Sequence, residues 1–275
     1  MSGGSSAGSG DFPWWLVAVA TIGVVLAVVI ATNGIYAQIF RAVSQGITTT
    51  IFVTLAAFAF ACAIGLLLAV MALSRSVVLR QVARFYVEII RGVPVLVLLF
   101  YIAFVGAPAV VALWNWASAP LQAMGLAGEM AVRDFPLLWR AVMALTIGYS
   151  AFIAEVFRAG IQSVDPGQIE AAKALGLSPV QRFRLIVLPQ AIRTILPPLG
   201  NDFVAMVKDS SLVSVLGVAD LTQMGKVYAS GSFRFFETYS IVAYIYLILT
   251  ISLSIALRQL EKRLRRAEEA RRAVD

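Results

Sequence analysis

"TLAAFAFACAIGLLLAVMAL", residues 54–73, decides the class of fold. A core helix of a soluble enzyme would carry polar side chains at helical spacing on its outer face. This stretch has none, and it matches the roughly 20 apolar residues that a helix needs to cross a bilayer. It lies inside an uncharged run from Ala42 to Ser74. Phe12–Phe40, Gly92–Gly128 and Thr238–Leu257 are further runs without charge. The chain of 275 residues is 60% hydrophobic and 13% charged, whereas soluble domains carry roughly 25% charged residues. The expected fold is an all-α integral membrane protein. Six spans are predicted, at 14–32, 47–73, 85–106, 138–160, 190–216 and 238–258.

Arginine and lysine orient these spans, because cytoplasmic connections hold the excess. The connection after the second span holds Arg75, Arg80 and Arg84, and the one after the fourth holds Lys173, Arg182 and Arg184. The end of the chain holds Arg258, Lys262, Arg263, Arg265, Arg266, Arg271 and Arg272. The alternate connections hold Arg41, then Arg133, then Lys226 and Arg234. Both termini and the 163–189 connection are therefore expected inside. The net charge of +7 reads as a topology signal with no concentrated nucleic-acid patch.

Several chemistries are excluded by what is missing. Cys62, the one cysteine, lies in an apolar run, so no disulfide forms within the chain. The absence of histidine removes His-ligated haem, most zinc chemistry and the commonest general base. No phosphate loop is present, since Gly225-Lys226 is followed by Val227. Neither catalytic residues nor a resident cofactor or metal is expected. Residues 1–13, "MSGGSSAGSGDFP", lack the basic start of a cleaved signal and are expected to be a disordered tail. Residues 259–275 read as a basic helical extension with Glu261–Arg265 and Glu268–Arg272 pairs, either solvated near headgroups or a binding site. The outer connection Ala107–Leu137, with Trp114 and Trp116, is either an interfacial helix or a docking surface.

One polar stretch interrupts this oily chain: "IEAAKALGLSPVQRFRLIVLP", residues 169–189. Asp165 is placed as an N-cap, Pro166 opens a helix and Gln168 stands three residues after the cap. Gly176 stops that helix as a left-handed cap. Ser178, Pro179 and Gln181 then start a second helix through a capping box. The result is a short knob on a lever leading back into the membrane, or a tidy loop with no partner; geometry alone leaves both open.

The spacing Glu170-Ala171-Ala172, Gly176, then Ile186, Leu188 and Pro189 resembles the EAA loop of the membrane subunits of ATP-binding-cassette importers. "YVEIIRGVPVLVLLF" (86–100), with Glu88, Arg91, Gly92 and Pro94, is similar to the polar amino-acid branch of that family. So are "GYSAFIAEVFRAGIQSVDPGQIEAAKALG" (148–176), "MVKDSSLVSVLGVADL" (206–221) and "GITTT" (46–50). Leu98 departs from the glutamine common in that branch. The resemblance implies a type I permease domain of five helices at about 46–258, with its coupling loop at 164–189 and an additional N-terminal helix at 14–45. It implies a separate ATPase subunit carrying ATP and Mg, seated on the loop. It also implies a second permease subunit, identical or related, and a soluble binding protein that delivers an amino acid. Outward opening would come with ATP binding, and hydrolysis would reset the path.

Charges at membrane depth are the candidates for the path, because a charge in the bilayer centre normally faces protein or water. Glu155 and Arg158 lie i,i+3 on the fourth span, and Lys208, Asp209, Ser210 and Ser211 lie on the fifth. They serve either an amino-acid zwitterion or structural pairing. "LPPLGND" (196–202) is expected to break the fifth span. A secondary carrier coupled to protons through Glu155 or Asp209 leaves the EAA-type knob unexplained. An enzyme or scaffold lacks a polar domain to hold chemistry.

Overall fold

The computed structural model describes residues 14–272, with side chains described at 14 and 17–262. The 1–13 tail therefore lies outside the described residues, and so do the side chains of Arg265, Glu268 and Arg272 that the two expected pairs need. The described chain runs α1 (Trp14–Thr32), α2 (Gly34–Ser44), α3 (Ile47–Ala72), α4 (Val77–Gly92), α5 (Val95–Tyr101), a π turn (Ile102–Gly106) and α6 (Ala107–Ala123). It continues through α7 (Leu137–Gln162), α8 (Pro166–Ala174), α9 (Pro179–Arg182), a second π turn (Phe183–Val187) and α10 (Leu188–Asp209). A 3₁₀ turn (Ser210–Leu216), α11 (Leu221–Ser232) and α12 (Phe235–Arg272) close it.

Small side chains decide how the centre packs. Ala57, Ala61, Gly65 and Ala69 recur every four residues on α3 and are all buried. That stripe lets α3 approach α7 closely, as small residues do between membrane helices. A Cβ on Gly65 would lie 3.1 Å from the Ala154 nitrogen and 3.1 Å from the Ser150 carbonyl oxygen. The main core fills the space around this contact with Val53, Leu99, Leu145, Ile153, Met206 and Val213. A second core joins α2, α11 and α12 through Ile39, Val43, Leu221, Ile241 and Ile245. The "GITTT" stretch serves that junction. Gly46 lies against the backbone of Asp220, where a Cβ would come within 2.5 Å, and the Leu221 N–H donates to Thr50 Oγ1 at 3.0 Å.

Helices long and apolar enough to cross a membrane cover Gly34–Ala72, Val95–Ala123, Leu137–Gln162 and Phe235–Lys262. The third expected span, 85–106, is corrected by this. The helix breaks at Val93, in the extended region at φ −101°, ψ 131°, because the residue before Pro94 is pushed out of the helical basin. On the N-terminal side of the break stands a separate amphipathic helix, α4. On its C-terminal side a helix runs to Ala123 and absorbs most of the expected 107–137 connection, together with Trp114 and Trp116.

The expected break at 196–202 does not occur. α10 continues through Pro197 and Pro198 without a break. Neighbouring helices brace it there: Ile195 packs onto Gly160 of α7, and Leu257 of α12 onto Gly200. Membrane helices tolerate proline when such neighbours hold the freed backbone. The irregular backbone instead falls in the two π turns. Each ends with an i→i+5 bond one residue before a proline: Ala107 N–H to the Ile102 carbonyl ahead of Pro108, and Leu188 N–H to the Phe183 carbonyl ahead of Pro189. The widened turn moves aside the carbonyl that the ring would strike. α10 also falls short of a lipid-facing composition, since it carries Arg193, Asn201, Asp202, Lys208 and Asp209.

Candidate functional site

The polar stretch folds as its caps require. Asp165 Oδ1 accepts from the Gly167 N–H at 2.6 Å, at the start of α8. The helix ends in a double closure, with Leu177 N–H to the Ala172 carbonyl at 3.1 Å and Gly176 N–H to the Lys173 carbonyl at 2.9 Å. Gly176 stands at φ +77°, a conformation that costs a residue with a Cβ about 1–2 kcal/mol. Ser178 Oγ accepts from the Gln181 N–H at 3.3 Å, and Gln181 Oε1 accepts from the Ser178 N–H at 2.9 Å. Gln168 reaches further than its own cap: Gln190 Nε2 donates to Gln168 Oε1 at 2.6 Å and to the Ile186 carbonyl at 3.0 Å. That pair bolts α8 to the root of α10.

The knob has an inner and an outer side. Ala172 is buried, and Val164, Val187, Ala191 and Ile195 form the cluster at its base. Glu170, Ala171, Gly176, Leu188 and Pro189 are exposed, and Ile186 is half-buried. Leu175 is 80% exposed and Val180 74%. Burying such side chains is worth about 1.5–3 kcal/mol each, so leaving two at the tip favours a partner there. α9, the π turn and α10 succeed one another without a break, so a push on the tip moves α10.

The charged candidates separate into two places. Arg158 Nη2 donates to Glu155 Oε2 at 2.6 Å and Nε to Oε1 at 3.2 Å, while Nη1 donates to Gln162 Oε1 at 2.6 Å. This pair satisfies itself on the α7 surface. It borders a polar cavity of about 410 Å³ that α4 lines with Arg84, Glu88 and Arg91. The second place is centred on Asp209, whose Oδ2 accepts from the Tyr149 hydroxyl at 2.8 Å. Tyr149 precedes Glu155 by six residues on α7, so the two places are about 9 Å apart along the axis. Lys208 is exposed and makes no ion pair among the described residues. Ser210 is buried and spends its hydroxyl on the Val207 carbonyl at 2.7 Å. Ser211 is half-buried, and its carbonyl accepts from Ser214 Oγ at 2.7 Å.

Sequence reasoning missed three side chains. Tyr149 is one, visible only as part of "GYSAF". Asp202 is another; its Oδ2 is buried without a hydrogen-bond partner, and only its position in a polar insert hinted at it. Arg140 is the third. It is buried and donates to the backbone carbonyls of Phe135 at 3.0 Å, Ala103 at 3.4 Å and Val132. Asn115 holds the Met130 backbone on both its N–H and carbonyl sides at 2.9 Å. Together they fasten the 124–136 segment to α6 and the first π turn.

Known proteins resemble this chain in sequence and in fold. Residues 61–266 match the family model described as "Binding-protein-dependent transport system inner membrane component". The chain is 39% identical over 216 residues to the probable amino-acid permease protein YxeN of Bacillus subtilis (strain 168), covering 78% of this chain and 88% of that one. It is 35% identical over 223 residues to the glutamine transport system permease protein GlnP of Escherichia coli (strain K12), covering 80% and 92%. Among solved structures, a chain from an amino acid ABC transporter crystallised with histidines aligns with a TM-score of 0.67 at 38% identity, over 83% of this chain and 95% of that one. An inward-facing methionine transporter, MetNI, aligns at 0.63 and 21% identity and shares the fold. The chain belongs to the family of binding-protein-dependent transport system inner membrane components.

Proposed function

We propose that this chain is the membrane-spanning permease subunit of an ATP-driven importer that takes up an amino acid from a soluble binding protein. The observation that carries the reading is the knob at 165–182. Its caps make it rigid, Leu175 and Val180 are bare at its tip, and it runs without interruption into α10. It is the seat for a separate ATPase subunit, which holds ATP and Mg. Glu170, Ala171 and Gly176 face that subunit; Ala172, Ile186, Leu188 and Pro189 shape the knob and its root. A second permease subunit, identical or related, completes the path. Both termini and the knob lie on the cytoplasmic side of the inner membrane.

Within the path, Asp209 and Lys208 offer an acceptor for a substrate ammonium and a donor for its carboxylate. Tyr149 orients Asp209. The buried hydroxyl of Ser210 is occupied by its own helix, so it shapes the turn, and Ser211 stands beside it. Glu155 and Arg158 close on each other and act as structure at the inner end of α7. The test is uptake of labelled amino acid into proteoliposomes holding permease, ATPase and binding protein. Uptake is expected only with all three and ATP; vigorous uptake by the permease alone would favour a secondary carrier.

A further inference from the structure

No step proposed for transport uses the cavity between α4 and α7. Arg84, Glu88 and Arg91 recur on one face of α4 and line it, opposite Glu155 and Arg158. The α7 pair is satisfied within its own helix. Arg84 and Glu88 make no ion pair among the described residues, and Arg91 lies over the Phe152 ring at 5.6 Å. Arg84 and Glu88 thus remain for a ligand, with Arg91, already within reach of the Glu155 charge, as a second guanidinium beside them. Ala72 and Gln162, the last residues of α3 and α7, also line the cavity. Glu155 lies seven residues inside that end, about 10 Å along the helix. The cavity therefore starts at the ends of two spanning helices, in the headgroup layer of about 5–7 Å on each side. About a third of a turn around the same helix, Val78, Val82, Phe85 and Ile89 form a parallel exposed apolar stripe.

We infer that this cavity binds a phospholipid headgroup of the inner leaflet. The phosphodiester is held by Arg84 and Arg91. Glu88 accepts from a donor on the headgroup, either the ammonium of phosphatidylethanolamine or a glycerol hydroxyl of phosphatidylglycerol. The acyl chains lie along Val78, Val82, Phe85 and Ile89. Basic pockets between helices at the cytoplasmic face suit such headgroups, and a guanidinium matches a phosphate fork to fork. A free anion would leave Glu88 opposed, and a free amino acid would leave the apolar stripe bare. The inference rests on the proposed orientation, with the 73–76 turn inside.

Native mass spectrometry of the whole transporter, exchanged into phosphatidylcholine with or without each of the two donor lipids, tests it. Choline carries no N–H or O–H donor, so phosphatidylethanolamine or phosphatidylglycerol is expected to be retained over phosphatidylcholine. Arg84→Ala and Arg91→Ala are each expected to lower that retention about fivefold, and Glu88→Ala to erase the preference over phosphatidylcholine. Unchanged retention in the Arg84→Ala, Arg91→Ala double variant overturns the inference. So does displacement of the lipid by a free labelled amino acid. Binding-protein-dependent uptake in the mixed lipids, with phosphatidylethanolamine and phosphatidylglycerol retained no better than phosphatidylcholine, would sink the lipid site and leave the importer reading standing. Loss of uptake in every lipid would instead count against the importer reading.

Discussion

At the scale of single residues, Gly176 carries the sharpest consequence. Its φ of +77° is costly for other residues, yet nothing lies within 4 Å of a Cβ built there. Gly176→Ala therefore costs the fold about 1–2 kcal/mol of local strain and no clash. Gly176→Asp adds a charge to the tip, in a backbone region that aspartate enters more readily than most residues. The expected result is normal insertion, with ATPase co-purification and uptake abolished. Co-purification at the unaltered level would show that the tip is not the seat. Asp209 supplies a second test at this scale. Tyr149→Phe removes a hydrogen bond worth about 0.6 kcal/mol on average between membrane helices, so subunit assembly survives. Asp209→Asn is expected to leave assembly intact and to change the KM or the maximal rate of uptake, and unaltered kinetics would take Asp209 out of the path.

At the scale of elements, the contact between α7 and α10 is where a push on the knob arrives. Gly160 accepts Ile195 so closely that a Cβ would meet Ile195 Cγ1 at 2.2 Å. Gly160→Ala is expected to cost about 1–3 kcal/mol by overpacking. Pairing it with Ile195→Ala should recover part of that loss, because the side chain that must give way is gone. Thermal unfolding of the purified permease, measured as a double-mutant cycle, reads the coupling. Strictly additive effects would mean that the two positions are not in energetic contact. The same contact was only partly legible beforehand. The glycine is in plain view in "FRAGIQ", but which helix approaches it depends on the packing of residues far apart in sequence.

At the scale of the whole molecule, the arginine-rich connections predict one orientation. With Cys62→Ser as background, Ser178→Cys is expected to react with a membrane-impermeant maleimide only after permeabilisation, and Gly128→Cys from outside intact cells. The reverse pattern would invert the topology and place the knob out of reach of a cytoplasmic ATPase. Gly128 has open space around its Cβ position, so the substitution is sterically free.

The character of this protein was already written in its order of residues. Charge depletion demands lipid, and capping residues act within a few positions of themselves, so the knob of Asp165, Gly176, Ser178 and Gln181 could be read directly. The tertiary structure decided whatever depends on neighbours distant in the chain. Two adjacent prolines promised a break in α10, but the helix, packed on Gly160 and Leu257, stays continuous, whereas one proline after Val93 did end α4. Glu155 and Arg158 turned out to satisfy each other, and Asp209 found Tyr149 on another helix. Local signals are set by short-range sterics and hydrogen bonds; the fate of a proline or a buried charge is settled by whichever surface folds against it.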